Sequence, residues 1–535
     1  MAAVVQPCDA GVIRSTQDSA LCQPFSRPWV IAAASLGSGM AFLDSTVLNV
    51  ALPAVQTDLE VSAREVQWVF GAFALVLAAF LLVGGSLGDR YGRRRVFVVG
   101  AAIFAAASVW CALAPGAGHL VAARAVQGAG GALLVPASLA IVGASFEGRL
   151  RAKAIGAWAA LSGAAMAVGP VLGGWMVEEV SWRAPFLITP AMAVVAIPIA
   201  LGHVPESRDP QASRLDLVGA VLATTGLGGL VYGLIESSAS GFADPVVLAA
   251  LILGAGALVA FVVVERRAKD PMVPPSLFRS RDFDGANLVT LLFYMALSGS
   301  LYFVPFLMMQ VHGYSAFVTG SVFLPFVAMT LLLGRLSGGI CARFGAKPPL
   351  VVASLAIAVG FVLFALPGVE YGSYWTSFFP AMVVQGFGMA LIITPLTAVA
   401  LGSVEGEHSG LASGVNNAAA RVAAPLAVAV LGVFVYGAFS ANLEARLDSM
   451  NLPSSEVRSE LEAAKADLGA AEAPKGVDAR TAAHFERAVE ESFVAGFRTV
   501  MLVCVGLALA SALAAALLVG DRRALNASRE PYPSD

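Results

Sequence analysis

Gly85-Ser86-Leu87-Gly88-Asp89-Arg90-Tyr91-Gly92-Arg93-Arg94-Arg95-Val96 joins two long apolar runs through a connection holding one acid, four arginines and three glycines. Two membrane helices joined this tightly need glycine for the turn and for close backbone approach. The arginines belong on the cytoplasmic side, where short loops collect positive charge. Outward from this loop, the 535-residue chain is 58% hydrophobic and only 13% charged, with a mean hydropathy of +0.78. That leaves too little polar surface for a soluble fold of this size and places the chain in a lipid bilayer.

Apolar runs long enough to cross about 30 Å of hydrocarbon recur from Trp29 to Val519. Residues 1–28 are polar and lack an apolar core before a cleavage site, so no cleaved signal peptide is expected. The net charge of −3 carries little information in a membrane protein, and nothing in it implies a nucleic-acid partner. Cys8, Cys22, Cys111, Cys341 and Cys504 have no paired spacing, so neither a disulfide framework nor a metal site follows, and no cofactor is expected.

The apolar runs and their charged or Pro/Gly-rich breaks predict an all-α membrane protein of about fourteen spans. They begin near Trp29, Trp68, Val96, His119, Ala154, Ala184, Leu215, Pro245, Ala286, Phe317, Pro349, Trp375, Ser409 and Ala495. With the amino terminus inside, the cytoplasmic connections hold most of the loop arginines and lysines, while the opposite short connections hold only Arg64 and Arg183. Both ends are therefore expected in the cytoplasm, at the cell (inner) membrane. Gly85, Arg90, Tyr91, Gly92 and Arg94 recur at one constant offset as Gly338, Arg343, Phe344, Gly345 and Lys347, with Ala342 in place of Asp89. Likewise Val126-Gln127-Gly128-Ala129-Gly130 in span 4 is echoed by Val384-Gln385-Gly386-Phe387-Gly388 in span 12, with Met382 where Arg124 stands. Two related six-helix halves are implied, with the charged machinery in the first. The predicted domains are a tail (1–28), a first bundle (29–204), an extra helix pair with linkers (205–285), a second bundle (286–519) and a tail (520–535). A long extracellular loop, 440–494, lies inside the second bundle and reads as a solvated hairpin without a substrate role.

Asp44 stands inside span 1, where an ionised acid is costly unless paired or hydrated. At ~1.5 Å per residue it lies about 22 Å along a span rising outward, and Arg124 is near the outer start of span 4. The two are predicted at similar depth, where they could pair or exchange partners as a proton binds and leaves, or form a static ion pair. Gly169-Pro170-Val171-Leu172-Gly173-Gly174 breaks span 5 with a proline amid glycines, which allows close helix contact and removes a backbone donor. Arg421 lies about three turns inside span 13. Arg335 reads as snorkelling toward the cytoplasmic end of span 10, and Glu236 as an interfacial carboxylate in water.

Together these residues resemble the fourteen-span drug/proton antiporter family of the major facilitator superfamily, typified by multidrug and quaternary-ammonium exporters. Asp44 with Asn49 and Pro53 is similar to the family's span-1 motif, Gly85 to Val96 to the superfamily loop, and Arg124, Gln127 and Gly128 to the span-4 motif with its proton-linked arginine. Gly169, Pro170, Gly173 and Gly174 resemble the antiporter motif. Trp182-Arg183-Ala184-Pro185-Phe186 resembles the start of span 6, and Gly410-Leu411-Ala412-Ser413-Gly414 with Asn416 and Arg421 the start of span 13. Ala423-Ala424-Pro425 departs from the usual glycine pair.

The resemblance implies a monomeric, proton-coupled exporter of lipophilic or cationic drugs working by alternating access, with a cavity between its bundles and no catalytic chemistry. Gly85, Asp89, Arg90, Gly92, Arg93 and Arg94 would form the cytoplasmic gate, Asp89 meeting the positive amino-terminal end of span 13. Asp44 and Arg124 would couple the proton. At mid-depth, Phe293, Tyr294, Phe303 and Gln310 of span 9, with Phe73 of span 2 and Arg421, are candidate substrate contacts, since aromatic faces suit flat or cationic molecules. A proton-coupled transporter of one natural metabolite, siderophore or lipid uses the same fold and stays open as an alternative. A membrane-embedded enzyme is disfavoured because none of His119, His203, His312, His408 or His484 has clustered nucleophilic or acidic company in the sequence.

Overall fold

The structure, a computed structural model, describes residues 25–146, 148–208, 216–268, 271, 273–369, 373–403, 409–448, 465–471 and 479–520. Among them, fourteen helical stretches are long and apolar enough to cross a membrane, the sixth (Ala184–His203), ninth (Arg281–Val311) and tenth (Ala316–Phe344) counted with the short helical turns that adjoin their main helices. In chain order they are α1 (Arg27–Asp58), α2 (Ala63–Tyr91), α3 (Arg93–Ala112), α4 (Ala117–Ser145), α5 (Gly148–Glu179), α6 (Ile188–His203) and α7 (Leu217–Ser240). There follow α8 (Pro245–Arg267), α9 (Arg281–Phe306), α10 (Leu324–Phe344), α11 (Lys347–Ala365), α12 (Phe379–Gly402), α13 (Ser409–Asp448) and α14 (Ala479–Leu518). These numbers coincide with the spans read from the sequence.

Helix starts follow local chemistry. Ser62 and Glu65 form a reciprocal capping box at α2, with Glu65 Oε2 accepting from Ser62 N at 2.9 Å and Ser62 Oγ accepting from Glu65 N at 3.3 Å. Asp244 caps α8 by accepting from Val246 N and Val247 N.

The chain divides into two compact units. Unit 1 comprises Met1–Val55, Trp68–Gly229 and Leu253–Met272; unit 2 comprises Gln56–Gln67, Leu230–Ile252 and Val273–Asp535. In unit 1, α3 packs on α4 and α6, and α4 on α5. In unit 2, α9 packs on α13 and α14, α11 on α12 and α14, and α10 on α12.

The sequence repeat has a physical counterpart inside each unit. A single residue, Gly92, separates α2 from α3, and it adopts φ 112°. Its counterpart Gly345 caps α10 ahead of α11 at φ 81°. Both values lie where side-chain-bearing residues are strained, which explains glycine at each turn. A Cβ on Gly128 of α4 would stand 2.6 Å from the Phe73 carbonyl oxygen of α2, and one on Gly386 of α12 would stand 2.6 Å from that of Phe326 in α10. Phe326 follows Phe73 by the same offset that separates Gly338 from Gly85. Gly130 meets the Gly100 carbonyl of α3, and Gly388 meets the Ala353 carbonyl of α11, again equivalent positions. Backbone-to-backbone approach through small residues is how helices associate where the surrounding lipid is as apolar as they are.

The predicted loop 440–494 is only partly described: α13 continues to Asp448 and α14 begins at Ala479, both inside that stretch. The piece 465–471 packs inward, with Leu468 buried, Gln56 Nε2 donating to the Asp467 carbonyl at 2.9 Å, and Lys465 paired to Glu444 at 2.6 Å. Burial, then the neighbouring Glu65 charge, pushes the Asp467 carboxyl above its ordinary value. Cys8 and most of both predicted tails, residues 1–24 and 521–535, lie outside the described residues, and α1 begins at Arg27, inside the predicted first tail.

Candidate functional site

Asp44 of α1 and Arg124 of α4 meet deep inside unit 1. Arg124 Nη1 donates to Asp44 Oδ2 at 2.6 Å and to Gln127 Oε1 at 2.5 Å, and its Nε donates to the Val69 carbonyl at 3.2 Å. The guanidinium also lies over the Phe73 ring, 4.3 Å from its centroid. Arg124 is fully buried and Asp44 5% exposed. Gln127 stands one helical turn after Arg124 and so shares its face. Its Nε2 donates to Asp44 Oδ1 at 2.8 Å and to Ser108 Oγ of α3 at 2.7 Å. Ser108 Oγ is in turn 2.7 Å from Thr189 Oγ1 of α6. Each carboxylate oxygen thus has a donor, and both amide hydrogens of Gln127 are used. This is what a buried charge needs to persist without water.

The glycine-rich face of α5 closes on the same stretch of α1. A Cβ on Gly169 would collide with Thr46 Oγ1, and one on Gly173 would stand 2.8 Å from Val47 Cγ1 and 3.2 Å from the Val47 carbonyl. Thr46 Oγ1 donates to the Met166 carbonyl at 3.2 Å. Gly174 is buried and Pro170 half-buried. The residues flanking Asp44 are therefore held by direct backbone contact with α5, which limits how α1 can rotate and fixes where the carboxylate points.

At the other end of unit 1, Asp89 accepts from Arg93 Nε at 2.9 Å and from Nη2 at 2.8 Å across the Gly92 turn. Glu206, in the segment after α6, accepts from Arg94 N at 3.1 Å and lies within 3.7 Å of the Arg94 and 3.6 Å of the Arg95 side chains. Arg94 Nη1 also donates to the Val204 carbonyl at 3.0 Å. A carboxylate on the first N–H groups of α3 satisfies orphan donors and complements the positive helix end. Gly85 lies against Pro136 of α4, and Arg90 is exposed with its guanidinium over Tyr91.

The family model for the Major Facilitator Superfamily matches residues 34–428, a stretch that contains all of these side chains. The chain belongs to the major facilitator superfamily. It is 33% identical over 515 residues to the tetracenomycin C resistance and export protein of Streptomyces glaucescens, covering 94% of each chain. With the puromycin resistance protein pur8 of Streptomyces alboniger it shares 37% identity over 441 residues, 80% of this chain and 86% of that one. The fold is similar to the crystal structure of a bacterial homologue of the human lysosomal transporter Spinster, with a TM-score of 0.59, 16% identity, and coverage of 94% and 100% of the two chains. The expected superfamily and all-α, fourteen-helix architecture are thereby established, and the protein is a multi-pass membrane protein.

Of the other residues marked by the sequence of this superfamily member, Phe73 belongs to unit 1 and Phe293, Tyr294, Phe303, Gln310 and Arg421 to unit 2. Phe73 lies beneath Arg124, edge-on to Phe104. Phe293 and Phe303 are buried in unit 2, against Tyr294 and Tyr302 respectively. Gln310 Nε2 donates to Gln56 Oε1 at 3.1 Å, and Tyr294 and Arg421 are half-buried. At the start of α13, Asn416 donates to Thr290 Oγ1 at 2.7 Å, while the surroundings of Gly410 and Leu411 lie outside the described set. Arg335 is exposed, and Glu236 pairs with Arg64 at 2.9 Å. Burial holds the His312 imidazole down at about 4, so that side chain is neutral near pH 7. The sequence reading missed Glu206, Ser108 and Thr189. An acid following Pro205 amid basic connections was the available signal for the first; two small hydroxyls in apolar runs gave none.

Proposed function

We propose that the chain is a proton-coupled antiporter of the cell membrane that exports lipophilic or cationic drugs, acting as a monomer with both termini in the cytoplasm and without catalytic chemistry or a cofactor. The buried Asp44–Arg124 pair, closed by Gln127, is the observation that carries this reading. Relatives named as antibiotic resistance and export proteins support the substrate class. Asp44 is the proton site and Arg124 its modulating partner. In the ionised form the two charges satisfy each other; a proton on Asp44 cancels the acid and leaves a buried guanidinium without its counter-ion. Losing one partner of a buried pair costs about 3–5 kcal/mol, enough to shift a two-state equilibrium roughly a hundredfold or more. Because α5 grips α1 on both sides of Asp44, that change is delivered to a helix contact and not absorbed by a flexible loop.

Asp89 and the arginines around it, tied down through Glu206, serve as the cytoplasmic gate. Tyr294 and Arg421, with Phe293, Phe303, Gln310 and Phe73, are the substrate-contact candidates. The test is uptake of ethidium, a flat lipophilic cation, by inside-out vesicles with and without an imposed proton gradient. Gradient-dependent uptake by the parent protein, abolished in Asp44→Asn at equal expression, is the expected result. Full gradient-driven uptake by Asp44→Asn would remove Asp44 as the coupling acid.

A further inference from the structure

We propose that Ser108 and Thr189 are positioning residues for proton exchange at Asp44: their paired hydroxyls allow the Gln127 amide to serve the carboxylate in both its charged and its neutral form. The inference rests on the reading of Asp44 as the proton site and goes beyond it by assigning roles to α3 and α6.

The geometry poses a problem that only a reversible neighbour solves. Both oxygens of Asp44 face donors, Arg124 Nη1 on Oδ2 and Gln127 Nε2 on Oδ1. A proton arriving on either oxygen would point at another donor. Arginine has no acceptor in any form, but a carboxamide carries a donor and an acceptor on one carbon and exchanges them by half a turn about its last torsion. Turned, Gln127 offers Oε1 to a proton on Oδ1 and swings Nε2 to the place where Oε1 accepted from Arg124. Two donors then oppose each other, which drives the guanidinium off the acid. The Val69 carbonyl and the Phe73 ring remain as its support.

That half turn also changes what Gln127 presents to Ser108, from a donor to an acceptor. A hydroxyl can answer both. With Asp44 ionised, Ser108 Oγ accepts from Gln127 Nε2 and from Thr189 Oγ1, each 2.7 Å away, and Thr189 Oγ1 also lies 3.4 Å from the Phe186 carbonyl. With Asp44 neutral, Ser108 donates to Gln127 Oε1 and accepts from Thr189. Ser108 is fully buried and Thr189 1% exposed, so water does not take over this part. The ionisable groups placed against the network are Arg124 from α4 and, on the far side of Gln127, the Cys111 thiol of α3, 3.9 Å from Oε1. From α2 it meets the Val69 carbonyl and the Phe73 ring, and α5 supplies the glycine face described above.

Removing the Ser108 hydroxyl harms the two forms unequally. The ionised form is left with a buried amide N–H that has no acceptor, whereas the neutral form loses only the second partner of a carbonyl still bonded to the acid proton. The test uses the purified full-length protein and pH-difference infrared spectroscopy, with Asp44→Asn identifying the carboxylic-acid band. Ser108→Ala is expected to move the pH midpoint of that band upward by about one unit, a tenfold change in proton affinity. Thr189→Val, equal in shape, should move it the same way by less, and Thr189→Ser, which keeps the hydroxyl, should restore the parent midpoint. An unmoved or lowered midpoint in folded Ser108→Ala and Thr189→Val would overturn the proposal, because a merely structural pair would change unfolding temperature and not the titration. Should Ser108→Ala fail to fold, the contrast between Thr189→Val and Thr189→Ser decides alone. No Asp44-dependent band in the parent protein would overturn the proton-site reading and this proposal with it, whereas an Asp44 band that ignores the hydroxyls sinks only the latter.

Discussion

Gln127 and Gln385 occupy the same place in the two repeats, and their surroundings differ completely. In unit 1, Gln127 is saturated: it accepts from Arg124 and donates to Asp44 and Ser108. In unit 2, Gln385 is equally buried, at 2% exposure, yet its amide nitrogen has no hydrogen-bond partner among the described residues, and Met382 stands where the arginine would be. Meanwhile the glycines next to these side chains make matching contacts with the neighbouring helix backbones in both units. The repeated element here is therefore the backbone approach, whereas the buried charge differs between the copies, with Arg124 in unit 1 and Met382 at the equivalent place in unit 2.

The largest effect is expected from making unit 1 imitate unit 2. Arg124→Met copies Met382, leaves Asp44 buried without its counter-charge, and should cost about 3–5 kcal/mol of stability together with gradient-driven transport. Asp44→Asn combined with Arg124→Met removes both charges, so thermal unfolding should recover most of that loss while transport stays absent. A double variant no more stable than the single one would break the view that charge imbalance, and not lost packing, dominates at this site.

Next in size are the shared glycine contacts. Gly128→Val and Gly386→Val each push a side chain into a carbonyl of the neighbouring helix, and each should lower stability by about 1–3 kcal/mol. Similar losses in the two units are the expected outcome; a large loss in one and none in the other would end the claim that the repeats share one packing scheme. At the turns, Gly92→Ala and Gly345→Ala should cost about 1 kcal/mol or more through strained backbone, with Gly92→Ala the worse because its Cβ would also stand 2.6 Å from Glu206 Oε1.

The smallest effect separates the two glutamines. Gln385→Leu trades an amide with an idle nitrogen for an apolar group and should leave stability within about 1 kcal/mol and transport near the parent rate. Gln127→Leu should abolish coupling. Comparable transport defects in the two variants would show that Gln385 has work of its own in unit 2.

Asp44 and Arg124 were legible because charge inside an apolar span is rare and counting at 1.5 Å per residue places the two at one depth. The glycine turn at Gly92 and its echo at Gly345 were legible because only glycine tolerates that backbone in so short a connection. Depth and residue type alone mark Tyr294, Phe293 and Phe303 in the sequence, and the structure sets the two phenylalanines against neighbouring tyrosine rings.

By itself the sequence determined that the chain lies in a bilayer, that it has fourteen spans in two related halves, and that an acid and an arginine are buried in the first. Those properties follow from hydropathy summed over whole spans and from residue types too costly to bury by accident. Only the tertiary structure decided which groups surround Asp44, that Gln127 joins it to Ser108 and Thr189, that Glu206 holds the arginine loop, and that Gln385 has no such company. A helix turns about 100° per residue, so a boundary uncertain by one or two positions leaves the facing side unknown. Serine and threonine, whose hydroxyls can be met by their own helix backbone, leave no mark on hydropathy when they bond across helices instead.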